Sequence, residues 1–219
     1  GTVQIDQVTL STATGQALGG FRPDILQTVK DLHPTCLRWP GGGYVAQYNW
    51  KWGIGPQEER HRWPNWMWMD YDQNCFGTDE FIKFCREVNT EPIIVVSVRF
   101  ELPESERERI IQDAADWVAY CNEPATGKWG SIRAANGHPE PYNVKYWEID
   151  NEMNNKDFMF IQGHFGEKLS TAELAAMSAD MLFYGSRGIH RANPQALTVL
   201  GGIVDPYGLG IPETDTGTT

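Results

Sequence analysis

Residues 146–155, YWEIDNEMNN, carry a run of β-forming apolar residues into a dense cluster of amides and carboxylates. Glu152, with Asn151 before it, offers the groups that cleavage of a glycosidic bond calls for. One carboxylic acid must protonate the leaving oxygen while a second carboxylate acts across the sugar. An asparagine just before such an acid can hydrogen-bond the sugar 2-hydroxyl, a contact that strengthens as positive charge develops at the anomeric carbon. For Glu152 to act as an acid near neutral pH, burial or a neighbouring carboxylate must raise its pKa. The dipeptide alone is a weak signal. A second Asn-Glu, Asn122 and Glu123, follows a helical stripe and precedes Pro124, so it reads as a helix end. Only the pair at 151 and 152 follows a buried strand.

The elements that would position these residues alternate between strand and helix. Residues 24–32 place Ile25, Val29 and Leu32 on one helical face, with Pro23 near the start. Residues 35–39, TCLRW, read as a short strand stopped by Pro40 and three glycines, and a long aromatic loop runs from there to Gly77. Thr78 reads as an N-cap with Asp79 and Glu80 in the first turn, and Phe81, Phe84, Cys85 and Val88 recur at helical spacing. Residues 92–98, PIIVVSV, have the continuous β-branched character of a strand buried on both faces. Ile110, Ala114, Trp117, Val118 and Cys121 form the next helical stripe, and residues 144–149, VKYWEI, the third strand. A helix capped at Ser170 or Thr171 carries Leu174, Met177, Met181 and Leu182, and residues 198–204, TVLGGIV, form the fourth strand.

This order implies right-handed βαβ units around a parallel sheet. A doubly wound dinucleotide fold should open with a GxGxxG turn into a helix, whereas Gly41, Gly42 and Gly43 lead into aromatics. A (β/α)8 barrel places its active site on loops after the strand C-termini, where the aromatic loop after Trp39 and the polar segment after Ile149 fall. The barrel fits better. Four strand units nearly fill the 219 residues, while a closed barrel needs eight strands and about 250 residues. The expectation is therefore a barrel completed by the remainder of the same polypeptide or by a complementary chain. An open half-barrel would expose an apolar edge.

The net charge of −11, with no long block of like charges, argues against nucleic acid and anionic membrane partners, and no apolar run is long enough to span a bilayer. The N-terminal Gly-Thr-Val-Gln lacks the features of a secretory signal, which leaves the compartment unassigned. The four cysteines, Cys36, Cys75, Cys85 and Cys121, form no CxxC and have no histidine at ligand spacing, so no metal is expected and they read as small buried hydrophobes. Six of the nine tryptophans crowd into Trp39, Trp50, Trp52, Trp63, Trp66 and Trp68. Core packing accounts for some. Flat indoles also line clefts that receive sugar rings, which marks Trp66 and Trp68 as candidate substrate-binding residues.

The runs LRWPGG (37–42), YNWKWGIGP (48–56), YDQNCFGTDEF (71–81) and ANGHPEPYNVKYWEIDNE (135–152), with the opening IDQVTL (5–10), together resemble glycoside hydrolase family 51. Its typical activity is α-L-arabinofuranosidase. The resemblance spans almost the whole chain, in order. It implies a retaining mechanism on a (β/α)8 barrel, with the acid/base glutamate after barrel strand four and the nucleophile after strand seven. It implies also that Arg38 lies beside the sugar and the nucleophile. Residues 35–39 then become barrel strand two, so that the chain supplies roughly strands two to five. Residues 1–20 become a segment leading from a preceding β-sandwich-like region, and residues 21–219 a partial catalytic barrel. The family departs from this sequence in three places. No counterpart of the strand-seven nucleophile is present, and Glu213 has no strand before it. Gly43 stands where many members carry Asn or Cys. Asp150 replaces the family-typical glycine before Asn-Glu and adds a negative charge that would raise the pKa of Glu152 if both were buried.

Several residues have a plainer reading as well. Arg38 could pair with an acid on the barrel floor, and Glu148, alternating with Trp147 and Ile149, could be a buried, paired acid. His138 reads as structural, residues 101–109 as a solvated turn or helix start, and Asp205 as a turn. The expectation is a retaining glycosidase, with Glu152 as acid/base, Asn151 on the 2-hydroxyl, Arg38 orienting the cleft, a carbohydrate substrate containing arabinose, no cofactor, and homo-oligomers unsurprising by family analogy. An endo-acting β-glucanase or xylanase of the same architecture remains open, as does a non-catalytic carbohydrate-binding protein.

Overall fold

A computed structural model of the chain describes residues 2–3, 10, 12–65, 68–98, 106–151 and 171–201. In chain order the helices are α1 (Ala13–Ala17), α2 (Pro23–Leu32), α3 (Thr78–Glu87), α4 (Arg107–Asn122), α5 (Lys128–Ala135) and α6 (Thr171–Ala192). The strands are β1 (Cys36–Trp39), β2 (Trp63–Asn65), β3 (Asp70–Asp72), β4 (Glu91–Val96), β5 (Tyr146–Ile149) and β6 (Leu197–Leu200). Strands β1, β4, β5 and β6 form one sheet in that order, and every neighbouring pair is parallel. Spatial order thus follows chain order, with helical segments on each crossover. A doubly wound sheet would reverse direction at its first strand, whereas a barrel wall continues one way round. The described residues therefore form part of the wall of an α/β barrel, open at β1 and β6.

The β-branched run makes β4 the interior strand expected of it. Ile94, Val95 and Val96 are buried, and β4 pairs with β1 on one side and β5 on the other. The stripe on α4 also holds, with Ile110, Ala114, Trp117, Val118 and Cys121 all buried. Trp117 meets Trp147 of β5, and Trp50 stacks on it with ring centroids 5.6 Å apart and planes 6° from parallel. Helix α6 packs closely against α4 through glycine. A Cβ at Gly188 would sit 2.6 Å from the Ile111 carbonyl oxygen and 2.9 Å from the Ala114 methyl, a separation that a real side chain cannot adopt.

The structure departs from the sequence expectation in several places. Thr78 is not the N-cap of α3. Gly77 holds that position, its N–H donates to the Glu80 carboxylate at 2.8 Å, and the Thr78 hydroxyl instead accepts from the Trp117 indole at 3.0 Å. On α2 the buried residue is Leu26, while Ile25 and Leu32 are exposed. That helix precedes β1, the edge of the described sheet, so its apolar stripe has less wall to cover. The same edge leaves Cys36 exposed. Cys75 is exposed too, against the expectation of burial, and only Cys85 and Cys121 are core residues. All four thiols are free. The span from Gly41 to Gly77, read as loop, is organised by three short 3-10 turns at Gly42–Gln47, Trp50–Gly53 and Gln57–Glu59 and by the β2–β3 hairpin.

Candidate active site

The site is built by two strands on either side of β4. Along a strand, side chains alternate between faces. On β5, Trp147 turns toward Trp117 of α4, so Glu148 projects from the opposite face. On β1, Trp39 turns toward Phe81 and Trp117, so Arg38 projects from that same opposite face. The intervening β4 separates them, with Arg38 in register with Ile93 and Glu148 with Val95. The long arginine side chain spans this gap. Its Nε forms an ion pair with Glu148 Oε2, and its Nη2 donates to Asn151 Oδ1 at 2.8 Å. The Glu148 side chain is 10% exposed and that of Arg38 33% exposed, so the pair sits at a rim. Arg38 thus pairs with an acid on the wall, and it also reaches Asn151, two residues beyond the end of β5.

Asp150 makes the turn that presents Asn151. Its backbone is left-handed, with φ 57°, a conformation that glycine adopts freely and that aspartate tolerates by bonding locally. Its side chain is fully buried. One carboxylate oxygen accepts the Asn151 N–H at 2.7 Å and the other accepts the Val98 N–H at 3.2 Å, while the Asp150 N–H donates to the Val96 carbonyl at 2.9 Å. The residue thus ties the ends of β4 and β5 together. A Cβ at Gly201, beyond β6, would fall 1.9 Å from the Asp150 carbonyl oxygen, so this turn also needs the small residue beside it.

Of the predicted site residues, the structure brings Arg38 and Asn151 together, with Glu148 as the third member of the cluster. Asn151 is 7% exposed. Glu152 and Trp66 lie outside the described residues, as do Asp205, Glu213, Ser170, residues 101–105, residues 5–9 of the opening IDQVTL and residues 202–204 of the fourth strand run. Trp68, on the turn joining β2 and β3, is 68% exposed. The other tryptophans divide: Trp39 and Trp50 belong to the aromatic core, and Trp52 and Trp63 pack together half-buried with centroids 4.4 Å apart. The control pair is structural. Asn122 exchanges hydrogen bonds with the Val144 backbone, and Glu123 accepts the N–H groups of Trp129 and Gly130 at the start of α5. The His138 ring packs against Tyr142, and its carbonyl accepts from Arg133.

Three features were missed by the sequence reading. Asp79, taken as a first-turn acid, is buried and receives both Tyr120 Oη, at 2.9 Å, and Tyr142 Oη, at 2.7 Å. Burial raises its pKa, outweighing these hydrogen bonds and the nearby His138, and Glu80 adds to the rise. Glu80 itself is desolvated, yet its pKa is lowered because Arg60 and the Gly77 N–H bond its carboxylate. The third is a cavity of about 290 Å³ beside Ser97, just past β4, where Lys51 is bonded to Asp113 at 2.7 Å and to Asp116 at 3.3 Å. No local signal marked it, because its walls come from segments distant in sequence. Among the described residues no group of three His, Cys, Asp or Glu is placed to hold a metal ion, and no helix is long and apolar enough to cross a membrane.

A parallel strand-helix wall with an Arg–Glu–Asn cluster on one face, at the strand C-termini, defines the class as an α/β barrel of the kind that builds active sites at that end. Comparison with known proteins then specifies the family. The family model described as the alpha-L-arabinofuranosidase 1 domain matches residues 28–187, and the chain belongs to that family. Alpha-L-arabinofuranosidase C of Emericella nidulans is 38% identical over 134 residues, which is 61% of this chain and 25% of the relative. An intracellular exo-alpha-(1->5)-L-arabinofuranosidase of Acetivibrio thermocellus is 37% identical over 135 residues, 62% of this chain and 25% of the relative. Among solved structures, the arabinose complex of the alpha-L-arabinofuranosidase from Thermotoga maritima superposes with a TM-score of 0.66 at 33% identity, covering 86% of this chain and 35% of that one. A family 51 alpha-L-arabinofuranosidase from Bifidobacterium longum gives 0.67 at 31% identity, covering 83% of this chain and 32% of that one. The chain spans about a quarter of the length of the curated relatives it matches.

Proposed function

We propose that this chain supplies the acid/base half of the active site of a retaining α-L-arabinofuranosidase that removes arabinofuranosyl units from plant polysaccharide or oligosaccharide. The observation that carries the proposal is the cluster of Arg38, Glu148 and Asn151 at the strand ends, immediately before Glu152, in a chain of this family. In this reading Glu152 protonates the leaving oxygen and then takes a proton from the attacking water. Asn151 holds the 2-hydroxyl, Arg38 orients the cleft, and Trp66 and Trp68 line it. The nucleophilic carboxylate comes from outside these four strands, residues 1–20 lead in from a preceding region, and residues 21–219 belong to the barrel. Proton transfer and a covalent carboxylate intermediate suffice for the chemistry, so no cofactor is called for.

The polypeptide that carries this chain should hydrolyse an aryl α-L-arabinofuranoside faster than it attacks soluble β-glucan. Proton NMR of the first product should show the anomeric configuration of the substrate. A first-formed product of inverted configuration, or a preference for β-glucan, would contradict the proposal.

A further inference from the structure

Asn151 can present either end of its amide to a ligand. Its carbonyl oxygen accepts hydrogen bonds and its NH2 donates them, and the two ends are nearly equal in size. A guanidinium has only donors. Because Arg38 Nη2 donates to Asn151 Oδ1 at 2.8 Å, the oxygen is engaged and the amide is oriented with Nδ2 as the group available to a sugar oxygen. The main chain at that residue is held independently, since its N–H donates to the Asp150 carboxylate at 2.7 Å. The orientation of the amide therefore depends on where the guanidinium stands, and that depends on Glu148. The Arg38 side chain is 33% exposed at the rim and crosses β4 to reach β5, so without an anion on that strand it would turn into solvent. Glu148, 10% exposed, receives Nε from the side of the guanidinium that leaves Nη2 aimed at Asn151.

We infer that Glu148 is a positioning residue for substrate recognition: by fixing Arg38 it sets the direction of the Asn151 amide, and so creates the preference for a glycoside with a free hydroxyl at carbon 2. This rests on the reading of Asn151 as the contact to that hydroxyl. Glu148 does not touch the sugar. Its effect passes through Arg38 and is larger for substrates that carry the hydroxyl.

The test compares kcat/KM on an aryl α-L-arabinofuranoside and on its 2-deoxy analogue, using the full polypeptide that carries this chain. Asn151→Ala should lose a preference for the 2-hydroxy substrate of roughly two- to tenfold, the range for one neutral hydrogen bond. Glu148→Gln should lose most of that same preference, its rate falling further on the 2-hydroxy substrate than on the 2-deoxy analogue. The double variant should be no worse than Asn151→Ala alone. Glu148→Asp keeps the charge on a shorter arm and should retain an intermediate preference, and it decides the matter if Glu148→Gln does not fold. Equal losses on both substrates would mean that Glu148 only supports the fold, and an unchanged preference would mean that Arg38 needs no partner. Either result overturns the inference while leaving the role of Asn151 intact. Should Asn151→Ala itself keep the full preference, the functional reading of Asn151 fails first and the inference fails with it.

Discussion

Asp150 sits fully buried in left-handed backbone, with both carboxylate oxygens accepting backbone N–H groups, two residues before Glu152. A glycine there would satisfy the conformation at no steric cost, so the aspartate must be judged by what its charge does. A negative charge beside a general acid disfavours that acid's ionised form and raises its pKa. In the proposed reaction the protonated form of Glu152 acts first, so its pKa would set the alkaline limb of the kcat/KM profile. Asp150→Asn removes the charge while keeping one acceptor, and the alkaline limb should move to lower pH. A limb that stays in place would show that the charge of Asp150 does not reach the acid. At this scale the sequence showed the types of the residues but not their pairing. Glu148 and Arg38 are 110 positions apart, so the choice between a barrel-floor ion pair and a cleft residue needed the register of β1, β4 and β5.

Elements were more legible where burial is uniform. The β-branched run of β4 and the stripe on α4 could be read directly, because a strand paired on both sides and a helix against the sheet each leave a repeating pattern. Helix starts and edges were less so. Thr78 has the residue type of an N-cap, but Trp117, from another helix, claims its hydroxyl, and Glu80 serves the Gly77 N–H instead. The start of α3 also holds Asp79, whose burial among Tyr120 and Tyr142 gives a testable pH dependence. Its pKa in the fold is raised above the unfolded value of about 3.9. The stability it contributes is therefore fully present below that value and is lost as pH rises through the folded pKa. Asp79→Asn has no such titration. In urea unfolding of the polypeptide at a series of pH values, the parent should lose stability relative to the variant as pH rises from the ordinary aspartate range. A difference that stays constant with pH would mean that the carboxyl is as comfortable ionised in the fold as out of it.

At the scale of the molecule, four parallel strands in chain order make one side of a barrel, and the polar cluster stands on the face opposite the helices. That placement follows from alternation alone once Trp39 and Trp147 are fixed on the helix side. The tryptophan crowding was a mixed signal for the same reason: Trp50 and Trp39 fill the space between wall and helices, while Trp68 is exposed. The cluster at the strand ends lies within the family match over residues 28–187, and the proposal places the acid and base at Glu152, the next residue in the chain after Asn151.

The most direct measurement replaces that side chain. In the full polypeptide, Glu152→Ala should lower kcat/KM by about 10²–10⁴-fold on an arabinofuranoside whose leaving group needs a proton. The loss should be much smaller for the first step on an aryl substrate that departs unaided. Azide, a nucleophile that needs no general base, should then restore turnover and yield the glycosyl azide with retained configuration. Equal losses on both substrates with no rescue by azide would contradict the assignment of Glu152 and, with it, the account of this site.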